Sequence, residues 1–285
     1  MKRIDRFYQK RKNHFTILAS IILCFLFISS PNNVFSDDSE NKYKLNKEYF
    51  IQFGNDLKDV LVSPTRWDKK DIFKFSAILG TGILLYTVDS DCHDWFQTHR
   101  NETSDDISGF ISYFGDGGCL TGFASALYIS GEIAGDKKLR KTALLSLESL
   151  LASGLLVWSI KFISGRARPY TEESYNFFHP FSLKSRYNSF PSGHSSSAFA
   201  VATVIANQSD STLIDIFSYS LASLAAISRI HDNKHWISDV FIGSMIGYFV
   251  GKKICSLNSK ENSNHVNMSF QLSPQRQSLI LSIHF

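Results

Sequence analysis

The residues of this 285-residue chain that could act together in catalysis occur in three short polar clusters. Each cluster lies at the end of an apolar segment and contains basic residues, histidine or both. The candidate residues are Lys161 and Arg168 in KFISGRARP, Ser192, Gly193 and His194 in FPSGHSSSAFA, and Arg229, His235 and Asp239 in SRIHDNKHWISD. Cations, a helix start and imidazole rings are groups that can bind a phosphate and move protons around it.

Five of these residues are suited to binding an anion. Arg168 and Arg229 each present a planar fork of N–H donors that matches phosphate oxygens, and Lys161 adds a compact positive charge. Ser192 and Gly193 stand where a helix is expected to begin, and the free N–H groups of a helix N-terminus favour anions. If the three clusters converge in the fold, they predict a phosphate site.

The two histidines and the aspartate supply the remaining chemistry. His235 and Asp239 are four residues apart, so on a helix they share one face, where the carboxylate can hold the imidazole in one tautomer. An imidazole oriented in this way is suited to act as a nucleophile. His194 could protonate a leaving oxygen and then activate water. Each cluster alone has an ordinary structural explanation, but their joint occurrence, in order and at fixed internal spacing, favours catalysis.

The clusters resemble the three signature motifs of the type 2 phosphatidic acid phosphatase superfamily, which includes lipid phosphate phosphatases, bacterial class A acid phosphatases and vanadium haloperoxidases. The patterns are Lys-x6-Arg-Pro, Pro-Ser-Gly-His and Ser-Arg-x5-His-x3-Asp, and all three match in full. The resemblance covers about residues 70–252. It implies a helical bundle, phosphatase action without a metal or another cofactor, and a phosphohistidine intermediate.

The same resemblance implies a role for each motif residue. His235 would be the nucleophile, Asp239 the residue that orients it, and His194 the general acid and base. The phosphate would be held by the other motif residues, which are Lys161, Arg168, Ser192, Gly193 and Arg229.

Six apolar segments must position these residues. They are rich in Ala, Leu, Ser and Gly and contain few prolines, so helices are favoured over strands. The segments are residues 72–88, 120–133, 142–163, 195–206, 213–230 and 237–250. We therefore predict an all-α fold, a bundle of about six core helices.

The polar parts of the chain predict loops and one hairpin. Residues 89–118 and 166–191 are long enough to be functional loops. In the tail, residues 266–272 and 278–285 alternate in part around the turn-like residues 273–276, which predicts a short β-hairpin.

The net charge of +4 is concentrated at the N-terminus, where the first 36 residues hold six cations and one acid. The cations precede an apolar run at 15–30, and this pattern predicts a signal peptide or an uncleaved signal anchor. The rest of the chain is close to neutral. We expect it to work outside the cytoplasm, and this location excludes a nucleic-acid-binding protein. We expect four parts: the signal segment 1–36, a polar leader 37–69 that is irregular or an interfacial helix, the phosphatase bundle 70–252 and the tail 253–285.

The sequence indicates less directly whether the bundle spans a membrane. Several apolar segments are only 12–18 residues long, whereas a spanning helix needs about 20 residues. The basic cluster at 137–141 also fits poorly with six spans behind a signal segment. We therefore favour a bundle that is periplasmic or shallowly embedded in a bacterial cell envelope.

The leading functional hypothesis is an exported, membrane-associated envelope phosphatase. Its substrate would be a phosphomonoester or diphosphate on a lipid, such as phosphatidic acid, phosphatidylglycerol phosphate, an isoprenoid diphosphate or lipid A. The alternative is a secreted non-specific acid phosphatase that acts on soluble phosphomonoesters. A vanadium haloperoxidase is less favoured because the chain is short for that branch, and a non-catalytic envelope protein because the set of motif residues is intact.

Two further features are open at this point. Cys92 and Cys119 could form a disulfide after export, but reduced and partly buried thiols fit equally well. Glu148 precedes Lys161 by 13 residues in the same predicted helix. It could orient a basic site residue, but a buried structural ion pair is the favoured interpretation.

Overall fold

The computed structural model of the chain describes residues 43–260, 267–273 and 276–282, and within them it contains nine α-helices and a β-hairpin. The helices are α1 (Lys47–Val62), α2 (Lys69–Thr87), α3 (Asp89–Thr98), α4 (Glu102–Ile111), α5 (Gly117–Ala134), α6 (Lys137–Ser164), α7 (Gly193–Gln208), α8 (Thr212–His231) and α9 (Ile237–Lys260). Each of the six predicted core segments overlaps one helix, namely α2 and α5 to α9. The prediction of an all-α bundle is confirmed.

Helix α7 is the centre of the bundle and packs most extensively against α9, and also against α8 and α6. Glycines allow the close approach of α9 to α7. A Cβ atom at Gly243 would lie 2.3 Å from the carbonyl oxygen of Ser192, and one at Gly247 would lie 2.1 Å from that of Ser196. Contact of this kind, backbone against backbone, fixes the start of α7 relative to the start of α9, which are the two places where the second and third motifs lie.

The end of α6 is equally well defined. Gly165 follows the helix with a φ of +60°, the left-handed conformation that commonly ends helices. A Cβ atom there would lie 1.8 Å from the carbonyl oxygen of His179, so the chain passes very close to itself at this turn. The turn directs the first motif from α6 into the loop that leads to α7.

The predicted loop at 89–118 is wrong, because most of it is helical. Helices α3 and α4 occupy it, followed by the 3-10 turn Ser112–Gly115. Local capping explains this: Asn101 and Ser104 form a reciprocal capping box at the start of α4. The second polar stretch, 166–191, is irregular as predicted and contains two short 3-10 turns, Pro169–Thr171 and Ser185–Tyr187. The leader contains a helix, α1.

The exterior of the bundle is unusually apolar. Large hydrophobic side chains are exposed along α2, α5, α6 and α8, including Phe73, Leu84, Ile133, Trp158, Leu213 and Ile216. A soluble surface rarely presents apolar area on this scale, so this exterior indicates association with a membrane.

In the described part of the chain, three helices are long and apolar enough to cross a membrane, namely Lys137–Ser164, Thr212–His231 and Ile237–Ser259. The pair α2 and α3, bent by 56°, adds a fourth candidate if it forms one span. The argument from short segments is therefore wrong for these helices, because polar residues at the ends of the apolar runs extend them. The expectation of a periplasmic or only shallowly embedded bundle loses this support.

Three further predictions concern the ends of the chain and its thiols. The hairpin consists of β1 (Asn267–Ser273) and β2 (Arg276–Ser282), which pair antiparallel with Asn267 opposite Ser282. The signal segment 1–36 lies outside the described residues. The possible disulfide is not formed, because Cys92 and Cys119 are free thiols in the structure.

Candidate active site

The predicted site residues come together at one end of the bundle. The chain reaches this end four times, at the C-termini of α6 and α8 and at the N-termini of α7 and α9. Lys161 lies in the last turn of α6 and Arg168 in the loop after it, while Ser192 caps α7 ahead of Gly193 and His194. Arg229 lies in the last turn of α8, and His235 and Asp239 flank the start of α9.

Hydrogen bonds join the second motif to the third, and join Lys161 of the first motif to the loop that precedes the second. The N–H of Ser192 donates to the carbonyl oxygen of Asp239 at 2.9 Å. The ammonium group of Lys161 donates to the carbonyl oxygen of Asn188 and, at 3.2 Å, to that of Ser189. A Cβ atom placed on Gly193 would lie 3.9 Å from Cε of Lys161. The Lys161 side chain therefore reaches the N-terminus of α7, as the phosphate-site prediction requires.

Arg168 is held in place by the loop that it begins. Its Nε and Nη2 atoms donate to Oδ1 of Asn188 at 3.0 and 2.8 Å, which leaves Nη1 for other partners. Burial lowers the pKa of Arg168 from its ordinary value. A buried cation of this kind is stabilised by an anion, which agrees with the predicted phosphate-binding role of Arg168.

The carboxylate of Asp239 is completely buried and accepts three hydrogen bonds. Oδ1 accepts from Nη1 of Arg166 at 2.6 Å, while Oδ2 accepts from the hydroxyl of Ser189 at 2.5 Å and from the backbone N–H of Trp236 at 3.0 Å. Oδ2 also faces Nδ1 of His235, at 3.7 Å. This distance exceeds a direct hydrogen bond, although such contacts often tighten only when a substrate is bound.

His235 is almost fully buried, and its Nδ1 atom has no hydrogen-bond partner among the described residues. Burial lowers the pKa of His235 well below its ordinary value of 6.5, and the nearby charges of Lys161 and Arg168 act in the same direction, while Asp239 opposes them. The imidazole is therefore neutral near pH 7 and keeps a lone pair for nucleophilic attack.

His194 lies at the start of α7, with Nε2 at 3.8 Å from Oδ2 of Asp116. Burial and the charge of Arg229 lower its pKa to about 4, against the opposing effect of Asp116. A Cβ atom at Gly115 would lie 3.0 Å from the carbonyl oxygen of His194, so the turn before α5 packs tightly on this residue. Asp116 was not among the predicted residues.

Arg229 faces the site with its guanidinium largely buried. Nη1 donates to Oδ2 of Asp232 at 3.2 Å, and Nε has no hydrogen-bond partner among the described residues. Asp232 also accepts a 2.6 Å hydrogen bond from the hydroxyl of Ser108 on α4. Helix α4, which lies in the stretch predicted to be a loop, therefore braces one of the cations that are predicted to bind phosphate.

Arg166 is the main residue that sequence reasoning missed. Its side chain is buried and pairs with both Asp239 and Asp89, each at 2.6 Å. Although burial opposes the charge, the two carboxylates raise the pKa of Arg166 above its ordinary value. In the sequence, only its position between Lys161 and Arg168 points to Arg166. No sequence pattern points to its second partner, Asp89, which is distant in the chain.

Glu148 has neither of its expected roles. It is buried within α6, next to the hydroxyl of Tyr49 and the carboxylate of Asp56, and no ion pair of Glu148 is found among the described residues. Its neighbours belong to the contact between α1 and the bundle, away from the phosphate-site cations.

One protein family matches the part of the chain that carries the motifs. The model of the PAP2 superfamily matches residues 142–262, a range that contains all three motifs. This part of the chain is similar to the type 2 phosphatidic acid phosphatase superfamily, in agreement with the three motifs. The chain is also 45% identical over 67 residues to a protein of Porphyromonas gingivalis named lipid A 1-phosphatase. That match covers 23% of this chain and 15% of the relative's length.

Two solved structures are similar to the chain. One is a transmembrane PAP2 type phosphatidylglycerolphosphate phosphatase from Bacillus subtilis, with a TM-score of 0.52 and 21% identity over 65% of this chain and 96% of the other. The other is LpxE from Aquifex aeolicus, with a TM-score of 0.47 and 25% identity over 59% of this chain and 95% of the other. The first likeness shows a similar helical fold.

Proposed function

We propose that the chain is a membrane-associated phosphatase that removes phosphate from a lipid phosphomonoester or diphosphate through a phosphohistidine intermediate. The observation that supports this most strongly is the convergence of three cations and two histidines at one end of a bundle with an apolar exterior. The phosphate would lie among Lys161, Arg168 and Arg229, with the N–H groups at the start of α7 as further donors.

In the first step, His235 attacks the phosphorus atom. Since Nδ1 faces Asp239, Nε2 is the atom available for attack. A bond forms between Nε2 and phosphorus while the bond from phosphorus to the lipid oxygen breaks, and His194 donates a proton to that oxygen. The Asp239 carboxylate stabilises the positive charge that develops on the His235 ring.

In the second step, water replaces the lipid. His194, now neutral, takes a proton from the water molecule as its oxygen bonds to phosphorus. The bond between phosphorus and Nε2 breaks, His235 recovers its lone pair, and inorganic phosphate leaves. The low pKa of His194 in the free protein requires that the bound phosphate dianion raise it for the first step, which a negative charge beside an imidazolium does.

A lipid is the favoured substrate because the site stands at the end of helices with exposed apolar faces. Lipid A belongs in the first panel of substrates because the relative from Porphyromonas gingivalis has that specificity in its name. Phosphatidic acid, phosphatidylglycerol phosphate and an isoprenoid diphosphate complete the panel. With a signal segment at the N-terminus, the active site would face the periplasm.

The test is phosphate release by the purified protein in detergent micelles. We expect wild type and a His99→Ala control to release phosphate from at least one lipid, and His235→Ala to release none above background. His99 is an exposed histidine directly after α3, so it controls for the loss of an imidazole. Equal activity of wild type and His235→Ala would refute the proposed nucleophile, and a preference for soluble esters would favour a non-specific acid phosphatase.

A further inference from the structure

An apolar groove runs along the bundle between α5, α7 and α8. It is lined almost entirely by apolar side chains, and its empty space, including the open mouth, is about 680 Å³. Phe217, whose side chain is about half exposed, stands at its outer wall, so the groove opens toward the apolar exterior of α8.

The groove begins one helical turn beyond the general acid of the proposed reaction. Ala198, Val201, Ala202 and Ile205 line it and follow His194 on α7 at intervals of four, seven, eight and eleven residues. Residues at these intervals share one face of a helix, so the groove continues the face that carries His194. At a rise of 1.5 Å per residue it extends for about 16 Å beyond the imidazole.

The opposite wall of the groove also meets the site at this point. Tyr113, Phe114 and Cys119 line it, and they flank Asp116, whose carboxylate lies 3.8 Å from His194. One wall of the groove therefore starts one turn after His194, and the other wall flanks Asp116.

The geometry of phosphoryl transfer determines which part of a substrate lies there. The attacking atom and the leaving oxygen stand roughly in line on opposite sides of phosphorus. If His235 attacks and His194 protonates the leaving oxygen, the lipid body leaves on the His194 side. That side is where the groove begins.

We propose that the groove between α5, α7 and α8 holds one acyl chain of the lipid leaving group and thereby selects long-chain substrates. This inference rests on the proposed phosphatase function. Its chemical basis is apolar contact along the chain, so it predicts a dependence on chain length and no effect on a phosphoester that lacks a chain.

The test uses two leucines one turn apart on α8. Leu221 lines the groove, whereas Leu224 does not and is about half exposed. Leu221→Trp would fill the groove, and Leu224→Trp is the matched control. The probes are dipalmitoyl phosphatidic acid, dibutyryl phosphatidic acid and p-nitrophenyl phosphate, each assayed for kcat/KM by phosphate release in the same detergent.

We expect Leu221→Trp to lower kcat/KM for the dipalmitoyl lipid by about tenfold or more relative to the dibutyryl lipid, since even one methylene in a hydrophobic pocket changes specificity by about 10–200-fold. Its activity on p-nitrophenyl phosphate should be unchanged, and the Leu224→Trp protein should match wild type on all three probes. If Leu221→Trp does not fold, Ile205→Trp at the far end of the groove should give the same shift toward short chains.

Three results would overturn the inference. An equal loss on all probes in a folded variant would mean that the groove has a structural role, for example in holding another segment of the chain. An unchanged preference for chain length would mean that acyl chains bind elsewhere. If wild type itself releases no more phosphate than His235→Ala from any probe, the proposed function fails, and this result is distinct from the first two.

Discussion

Arg166 and Asp239 form a buried ion pair, with 2.6 Å between Nη1 and Oδ1. The second oxygen of Asp239, Oδ2, is the one that faces His235. Through Nη2, Arg166 also pairs with Asp89 at the start of α3. The carboxylate of Asp89 in turn accepts hydrogen bonds from the backbone N–H and the hydroxyl of Ser238. The carboxylate that orients the proposed nucleophile is thus fixed by charges and hydrogen bonds from two other parts of the fold.

Replacing Arg166 by lysine is expected to lower kcat by about 10–100-fold with little change in KM, because the residue positions the catalytic pair and does not touch the substrate. An ammonium group cannot reproduce the fork that serves Asp89 and Asp239 together. The measurement is steady-state kinetics beside thermal unfolding of the same sample. Arg186→Lys, an exposed arginine of the same loop, should behave as wild type. Wild-type kcat in Arg166→Lys would contradict the positioning role.

Replacing Asp239 should lower kcat more than replacing Arg166. In Asp239→Asn the amide no longer stabilises the imidazolium, and we expect kcat to fall by about a thousandfold or more. Ser189→Ala removes the 2.5 Å hydrogen bond to Oδ2 but leaves the charge. A hydrogen bond to a charged group contributes about 1.5–3 kcal/mol, so this variant should lose roughly tenfold to a hundredfold. Equal losses in the two variants would show that orientation, rather than charge, is the essential property of the carboxylate.

The contrast between Asp239 and Asp89 shows how much of the site the sequence could predict. Asp239 lies four residues after His235, and this local spacing identifies the pair without a structure. Asp89 is 150 residues from Asp239, and only tertiary packing places both carboxylates on Arg166. Local patterns likewise identified the six core helices. Helices α3 and α4 were missed because polar sequences with good caps lack the apolar periodicity on which the prediction depended.

The low pKa values of the two site histidines predict a pH-dependent stability. His194 binds a proton near pH 4 in the folded protein and near pH 6.5 when unfolded, and the pKa of His235 is lowered in the same direction. Between these values the unfolded state binds more protons, so stability is complete above about pH 6.5 and decreases as the pH falls.

The measurement is thermal unfolding in detergent from pH 7.5 to pH 4.5. His194→Asn should weaken the dependence on pH, whereas His99→Asn should leave it as in wild type. If thermal stability depends on pH in the same way in His194→Asn and in wild type, the conclusion that His194 is buried as a neutral ring is contradicted.

The contact between α7 and α9 predicts a strong difference between two glycines. Gly247→Ala places a methyl group 2.1 Å from the carbonyl oxygen of Ser196, and we expect it to destabilise the fold by about 1–3 kcal/mol or more. Gly154→Ala on α6 meets no atom within 4 Å and should be neutral or stabilising by up to about 1 kcal/mol. Chemical denaturation of both variants tests this. Equal stability of the two would contradict the close packing of α7 on α9.

The central claim, that phosphate passes through His235, is tested most directly by trapping the intermediate. The purified protein is mixed with a radiolabelled lipid phosphate, quenched in alkali within a single turnover and digested, and the labelled peptide is sequenced. The account predicts an acid-labile, alkali-stable phosphate on His235 that is absent from His235→Ala. Label on a different residue, or steady turnover with no labelled protein at any time, would contradict it.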